Sequence, residues 1–277
     1  MASRTRCSAN RSMMKFHFKG AMVVDLNHQS NFVYGCGYRA SDANQRVNAL
    51  IDQALVAANR RETPRDYLGA SRIGEPCSRK LVFEYTHTPP DPGKEFEGGV
   101  LRIFAAGHQF EDLSIRWLRA AGFDLRTEDA NGGQFGFETA GGRIKGHIDG
   151  VIVGGPDIGV AWPALWEHKA LKASSWNDTV KRGVRLSKPV YFAQLQIYMA
   201  YMGLSVALFT VLNKDTQALH HEVTSLDAAE AQFLSDKAVD VIQAAESGEL
   251  PPRIAAHSGF YICRWCAYAR RCWELQS

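Results

Sequence analysis

Five stretches of the chain carry apolar residues every three or four positions, which is the spacing of an amphipathic helix. In the third stretch this spacing places Leu101, Phe104, His108, Glu111 and Ile115 on one face. The pattern therefore predicts helices over residues 48–61, 74–87, 100–122, 189–203 and 226–248.

Between the third and fourth helices the pattern changes to short β-prone runs separated by glycine-rich turns. These runs are FDLRTE, GQFGFET, RIKGHIDGVIV and PALWEHKAL, and a closing hairpin follows in SVALFTVLNK and QALHHEVTS. This order of elements predicts an α/β domain whose central mixed β-sheet is flanked by helices.

Length and composition fit one globular domain, because 45% of the 277 residues are hydrophobic and 22% are charged. No apolar run approaches the roughly 18 residues of a membrane span. Residues 1–40 carry six basic side chains against one acid, Asp25. We expect residues 1–43 to form a poorly ordered extension, with a transit peptide as the alternative, and residues 44–277 to form a single domain.

Two of the strand-like runs carry candidate chemistry, Asp149 in one and Glu167 with Lys169 in the other. Because strand side chains alternate, Glu167 and Lys169 point one way and the His168 side chain the other, while the His168 carbonyl remains available. Two carboxylates and a carbonyl suit Mg²⁺ or Mn²⁺, and a neighbouring lysine suits phosphodiester hydrolysis. The alternative is a solvated Glu-x-Lys pair, but the apolar flanks favour a metal.

Two helices supply further candidates. His108 is either a metal ligand or a hydrogen-bonded core histidine, and Glu111 is a carboxylate on the same face. Gln194 and Tyr198 lie four residues apart on one helix face. They are either ordinary helix residues, or Gln194 orients the lysine or a phosphate and Tyr198 contacts nucleic acid.

The cysteines indicate an intracellular metal centre rather than a disulfide framework. Two of the six, Cys7 and Cys36, belong to the extension. The other four are one isolated residue and a C-terminal triplet spaced C-x2-C-x5-C: Cys77, Cys263, Cys266 and Cys272. We therefore expect a cytoplasmic protein.

Six motifs in chain order resemble those of the RecB-like branch of the PD-(D/E)XK nuclease superfamily, which includes CRISPR-associated exonucleases and AddB-type helicase-nucleases. They are GEPCSRKL, FAAGHQFED, GHIDGVI, WEHKA, QLQIY and CRWCAYARRC, and they cover residues 74–272. The chain departs from the pattern in having Ile148 before Asp149, where the family name has proline. It lacks a G-x-x-x-x-G-K-[ST] loop, so a helicase motor would be a separate protein.

The resemblance implies a restriction-endonuclease-like core and a Mg²⁺- or Mn²⁺-dependent deoxyribonuclease. It implies an exonuclease acting on DNA ends or single strands in recombination, repair, or phage- or CRISPR-related processing, with a separate helicase or recombinase as a partner. The implied catalytic residues are Asp149, Glu167, Lys169, Gln194 and Tyr198. The implied metal ligands are His108, Asp149, Glu167 and His168.

The resemblance also implies that the four cysteines outside the extension hold a 4Fe-4S cluster. The cluster would join residues 74–87 to residues 260–273, and we call these two segments the cysteine clasp. The alternative is a zinc site in a catalytically silent DNA-binding module. A ribonuclease or a toxin-like endonuclease is a third interpretation.

A basic stretch lies between the two halves of the candidate site. Residues 169–188 hold six lysines and arginines against one acid, Asp178, and include Trp176. This excess of positive charge predicts contact with a DNA backbone, with Trp176 stacking on a base. The alternative is a solvated basic face with a packed tryptophan.

Overall fold

The computed structural model describes residues 40–274. The extension predicted for residues 1–43 lies outside that range, except for residues 40–43, which begin the first helix. The pattern of contacts between Cα atoms separates two compact units, with the boundary after Ile51. Residues 40–51 belong to the first unit, and residues 52–274 belong to the second. Among the described helices, none combines the length and the apolarity needed to cross a membrane.

The five predicted helices are confirmed, and three more are present in residues 40–274. The helices are α1 Ala40–Asn59, α2 Ser78–Tyr85, α3 Gly98–Ala120, α4 Ala173–Ser187, α5 Pro189–Met202, α6 Ala228–Ser247, α7 Tyr261–Arg264 and α8 Ala269–Glu274. The helix α4 was not predicted, because the sequence analysis interpreted these residues only as a basic stretch; its backbone departs from helical geometry at Gly183, at φ 73°. Helix α5 begins with Pro189 and ends at Gly203, which has the left-handed conformation common at helix ends.

The described strands form two sheets. They are β1 Leu68–Gly69, β2 Asp124–Arg126, β3 Gly136–Thr139, β4 Ile144–His147, β5 Gly150–Gly154, β6 Ala164–Leu171, β7 Val206–Asn213 and β8 Leu219–Ser225. The larger sheet has the order β2-β5-β6-β7-β8, and the smaller has the order β1-β4-β3. In the larger sheet β6 pairs parallel with β7 and antiparallel with β5, so the predicted mixed sheet is confirmed.

The run RIKGHIDGVIV is two strands rather than the single strand that its pattern predicts. Strand β4 belongs to the small sheet and β5 to the large one, so Asp149 lies at the point where the chain passes between them. Gly150 follows directly, and a Cβ there would lie 2.8 Å from the carbonyl oxygen of Arg126. This close approach of backbone to backbone requires a glycine after the aspartate.

Helices cover both faces of the large sheet. One face packs against α4 and α5, with α6 packed on α5, and its core includes Leu165, Phe209 and Leu195. The other face packs Trp166 with Leu118 of α3. Strand β6 is therefore buried on both faces, which explains its long apolar run interrupted by three polar residues.

Candidate active site

Glu167 and Lys169 lie on β6, in the middle of the large sheet, and their side chains meet as the strand alternation predicts. The Glu167 side chain is fully buried, and the Lys169 ammonium donates a hydrogen bond to its Oε1. A buried carboxylate is costly unless it is paired, so the two residues form one unit.

Gln194 joins this unit from α5. Its Nε2 donates to Oε1 of Glu167 at 2.6 Å, so the amide positions the glutamate and not the lysine or a phosphate. Oε1 thus accepts two hydrogen bonds, whereas Oε2 is buried and has no partner within residues 40–274. A buried acceptor without a partner costs free energy that a bound ligand or cation would recover.

Asp149 reaches the same site from the junction between the sheets. Its Oδ2 accepts a hydrogen bond from the backbone N–H of His168 at 2.8 Å. Burial and the Asp149 carboxylate raise the pKa of Glu167 to about 8. Burial disfavours the Lys169 ammonium, but Glu167 and Asp149 outweigh that effect and raise the pKa of the lysine.

A third carboxylate, Glu111 of α3, belongs to the same electrostatic group. Burial and the charge of Asp149 raise the pKa of Glu111 to about 7. The sequence placed Glu111 beside His108 but gave it no catalytic role. Three carboxylates share one lysine, so ionisation of all three would leave an excess of negative charge that a bound cation would neutralise.

His108 lies on the rim. Its side chain is 80% exposed, and its Nδ1 is 3.9 Å from Oε2 of Glu111. Within residues 40–274 no three side chains of His, Cys, Asp or Glu are arranged to hold a metal ion. The metal-ligand role of His108 therefore stays a prediction.

The side chain of His168 points to the opposite face, as predicted. Its ring is buried and lies 5.8 Å from that of Trp166. Burial and the nearby Lys169 charge lower the pKa of His168 to about 3, so the imidazole is neutral. Only the backbone carbonyl of His168 remains as the predicted ligand.

Tyr198 is 3% exposed, one turn after Gln194. Its ring meets that of Phe137 edge-on at 5.9 Å. Burial and the Glu167 charge raise the pKa of the phenol. This packing places Tyr198 behind the site rather than on a surface that touches nucleic acid.

Most of the basic stretch, residues 169–188, is the helix α4. Arg182 and Lys188 pair with Asp178, and Arg185 pairs with Asp227. Trp176 is half-buried, and its indole N–H donates to the Val211 carbonyl at 3.2 Å. The indole packs partly against the core, and the stacking role of Trp176 stays a prediction.

The four cysteines of the clasp line one small cavity of about 20 Å³, which is partly open to solvent. None of them forms a disulfide. Arg79, Lys80 and Arg253 also line this cavity. Burial raises the pKa of the Cys77 and Cys266 thiols, so a bound metal would have to drive their ionisation.

Direct contacts also join the two clasp segments to each other and to the residues next to them. Arg79 donates to the Pro251 carbonyl at 2.6 Å, and the rings of Phe83 and Tyr268 lie 5.2 Å apart. Asp91 accepts hydrogen bonds from the backbone N–H groups of Arg270 and Arg271 at the start of α8. Sequence reasoning found the cysteines but not these partners, since Arg79 and Asp91 carry no distinctive spacing.

No family model matches the chain, and no curated protein matches it. Among solved structures, the chain is similar to an alkaline exonuclease, LHK-Exo, from Laribacter hongkongensis, with a TM-score of 0.48, 15% identity, and coverage of 71% of this chain and 93% of that one. The chain is also similar to LHK-Exo in complex with dAMP, with a TM-score of 0.48, 17% identity, and coverage of 66% of this chain and 89% of that one. The similarity to the protein SSO0001 has a TM-score of 0.45, 13% identity, and coverage of 82% of this chain and 96% of that one. These values are too low to bear on function.

Proposed function

We propose that the protein is a metal-dependent deoxyribonuclease that acts on DNA ends or single strands. The observation that carries this proposal is the fully buried Glu167, whose Oε2 has no partner among the described residues while Lys169 holds its other oxygen. A structural ion pair would satisfy both oxygens, whereas a catalytic metal site leaves one free.

The residues fit a hard divalent cation. Asp149 and Glu167 supply carboxylates, and the His168 carbonyl lies on the strand between Glu167 and Lys169. Mg²⁺ is commonly held by one or two carboxylates, with water and substrate phosphate completing its shell, so three protein side chains are not required. When bound, the cation supplies charge stabilisation and a more acidic water.

Each side chain then has a defined task. The Lys169 ammonium, kept charged by Glu167 and Asp149, stabilises negative charge on the phosphate or holds an attacking water. Gln194 fixes the orientation of Glu167. Tyr198 packs behind Gln194 as a positioning residue, and Glu111 adds a carboxylate that takes up or releases a proton near neutral pH.

The substrate assignment rests on exposed basic residues beside the site. Lys172 and Lys181 are exposed, and within residues 40–274 neither forms an ion pair with a carboxylate. Such lysines attract a phosphate backbone. The proposal also includes a role in DNA recombination or repair and a separate helicase or recombinase as partner. It further includes a cytoplasmic location and a single nuclease domain over residues 44–277.

We assign a 4Fe-4S cluster to the cysteine clasp. Four thiols are a soft ligand set that suits iron–sulfur or zinc. The ligands are divided between one isolated cysteine and a triplet 186 residues further along the chain. This division favours an iron–sulfur cluster over a zinc site, whose cysteines usually come as close pairs. Arg79, Lys80 and Arg253 would offset its negative charge.

The test is digestion of end-labelled DNA with Mg²⁺, with Mn²⁺ and with chelator. Cleavage is expected with either metal and not with chelator. Lys169→Ala should lose about 10²–10³-fold in rate, yet keep its fold because Glu167 can take up a proton. The matched control is Lys214→Ala, which removes a surface lysine paired with Asp215. DNA binding without cleavage would favour the silent binding module, and cleavage of RNA alone would favour a ribonuclease.

A further inference from the structure

The segment around Cys263, the first cysteine of the triplet, exposes aromatic surface. Tyr261 is 62% exposed and Trp265 is 77% exposed, although large aromatic side chains are mostly buried in folded proteins. Cys263 lies between them in the chain and is buried. The short helix α7 therefore turns its cysteine inwards and presents both aromatic rings to solvent.

Arginine accompanies these rings. The Arg264 guanidinium carbon lies 5.9 Å from the centroid of the Trp265 ring, within cation–π range. Residues 253–274 carry four arginines and one acid, Glu274, which pairs with Arg270. We call Tyr261, Arg264 and Trp265 the aromatic platform, and it lies in positively charged surroundings.

We propose that the aromatic platform binds unpaired bases of a single nucleic-acid strand, apart from the cleavage site. Base stacking on exposed aromatic rings combined with arginine contacts is how single strands are held without sequence preference. A duplex hides its base faces, so the ligand is a single strand or a frayed end. This inference deepens the proposed nuclease function and rests on it for the class of ligand.

A protein partner is less well supported by the same surface. Protein interfaces bury about 800 Å² on each side around an apolar centre. Between residues 250 and 274, however, Tyr261 and Trp265 are the only strongly exposed large hydrophobic residues. Tyr261 contacts the half-buried Phe260, and Trp265 contacts Arg264. This small surface matches a phosphate-bearing strand better than an apolar protein face.

The experiment measures binding of a fluorescent single-stranded DNA by anisotropy, in chelator so that no cleavage occurs. Trp265→Ala and Tyr261→Ala should each weaken binding by about tenfold, as expected for the loss of one stacked base. Trp265→Phe should recover most of the affinity. Arg264→Gln should reduce the slope of log K against log salt by about 0.7.

The matched control is Phe233→Ala. Phe233 is another exposed aromatic residue, at 64%, but it lies on α6 next to Asp236 and Lys237. Its loss should leave single-strand affinity unchanged. Iron content and melting temperature are followed in every variant, because Trp265 lies between two cysteines of the clasp.

Equal affinity of Trp265→Ala and the parent protein would overturn the proposal, as would equal losses in Trp265→Ala and Phe233→Ala. A change in self-association with unaltered DNA affinity would assign the platform to a protein partner instead. Binding is measured without metal, so its outcome does not depend on whether the protein cleaves DNA. The platform and the cleavage site can therefore fail independently.

Discussion

The backbone N–H of His168 donates a hydrogen bond to Oδ2 of Asp149 at 2.8 Å, across 19 positions of sequence. This bond ties the junction between the two sheets to the central strand that carries Glu167. It fixes one oxygen of Asp149 and leaves the other free to act on a ligand.

The Asp149→Asn variant separates these two roles. An amide oxygen still accepts the hydrogen bond from His168, so we expect the melting temperature to change little. The negative charge is lost, and we expect cleavage to fall by about 100-fold or more because metal binding weakens. Asp157→Asn is the control, since Asp157 accepts a bond from the Gly159 N–H in a surface turn. Parental cleavage rates in Asp149→Asn would exclude Asp149 from the metal site.

Two glutamines on α5 should give opposite results when replaced by leucine. Gln194 donates to Glu167, so Gln194→Leu should lower the cleavage rate by about tenfold or more with little loss of stability. Gln196 accepts from the Asp227 N–H at 2.6 Å, so Gln196→Leu should cost about 1–3 kcal/mol of stability and leave cleavage intact. Thermal unfolding and initial rates test both, and parallel losses in the two variants would contradict the positioning role of Gln194.

The stability of the metal-free protein should depend on pH. The folded-state pKa of Glu167, about 8, and that of Glu111, about 7, both lie above the usual 4.5 of the unfolded chain. Their contribution to stability is therefore complete below pH 4.5 and is lost as the pH rises through 7 and 8. Melting temperatures of the chelated protein between pH 5 and 9 should show this fall, superimposed on the other titrations.

Two changes should flatten that profile. Glu167→Gln removes the larger contribution, and saturating Mg²⁺ stabilises the ionised carboxylates. Cleavage should conversely rise with pH over the same range, because bound metal requires ionised ligands. A metal-free profile that is identical in Glu167→Gln and the parent would contradict the assignment to Glu167.

Loss of one clasp cysteine should remove the cluster and loosen the C-terminal segment. Cys272→Ser and Cys77→Ser should each lose iron and visible absorbance. They should melt several degrees lower, since one kcal/mol shifts the melting temperature by about 2–4 °C in a domain of this size. Cys36→Ser is the control outside the clasp. Bound zinc in place of iron, measured in anaerobically purified protein, would favour the alternative.

The regular parts of the fold could be predicted from sequence because their periodicity is strong. The alternation in ALWEHKAL correctly placed Glu167 and Lys169 on one side of β6. The run around Asp149 was misjudged, since a continuous apolar pattern does not reveal that a chain leaves one sheet and enters another. The indole hydrogen bond of Trp176 to Val211 could not be predicted, because it is a tertiary contact.

The sequence predicted which residues form the candidate site, but it did not predict their burial or their pKa values. Residue types and motif order indicate which carboxylates meet. The buried Oε2 of Glu167 and the shared charge of Glu111 depend on how α3 and α5 pack against the sheet. Such quantities arise from burial, which no local pattern encodes.

The parallel pairing of β6 with β7 has a consequence for the order of assembly. The two strands are joined through α4 and α5, so β6 gains its second neighbour only when residues 206–213 have been synthesised. A nascent chain that ends earlier has Glu167 and Lys169 on an open sheet edge, without the covering that buries them in the finished fold. The burial of Glu167 and Lys169 is therefore completed only after β7 has been synthesised and paired with β6.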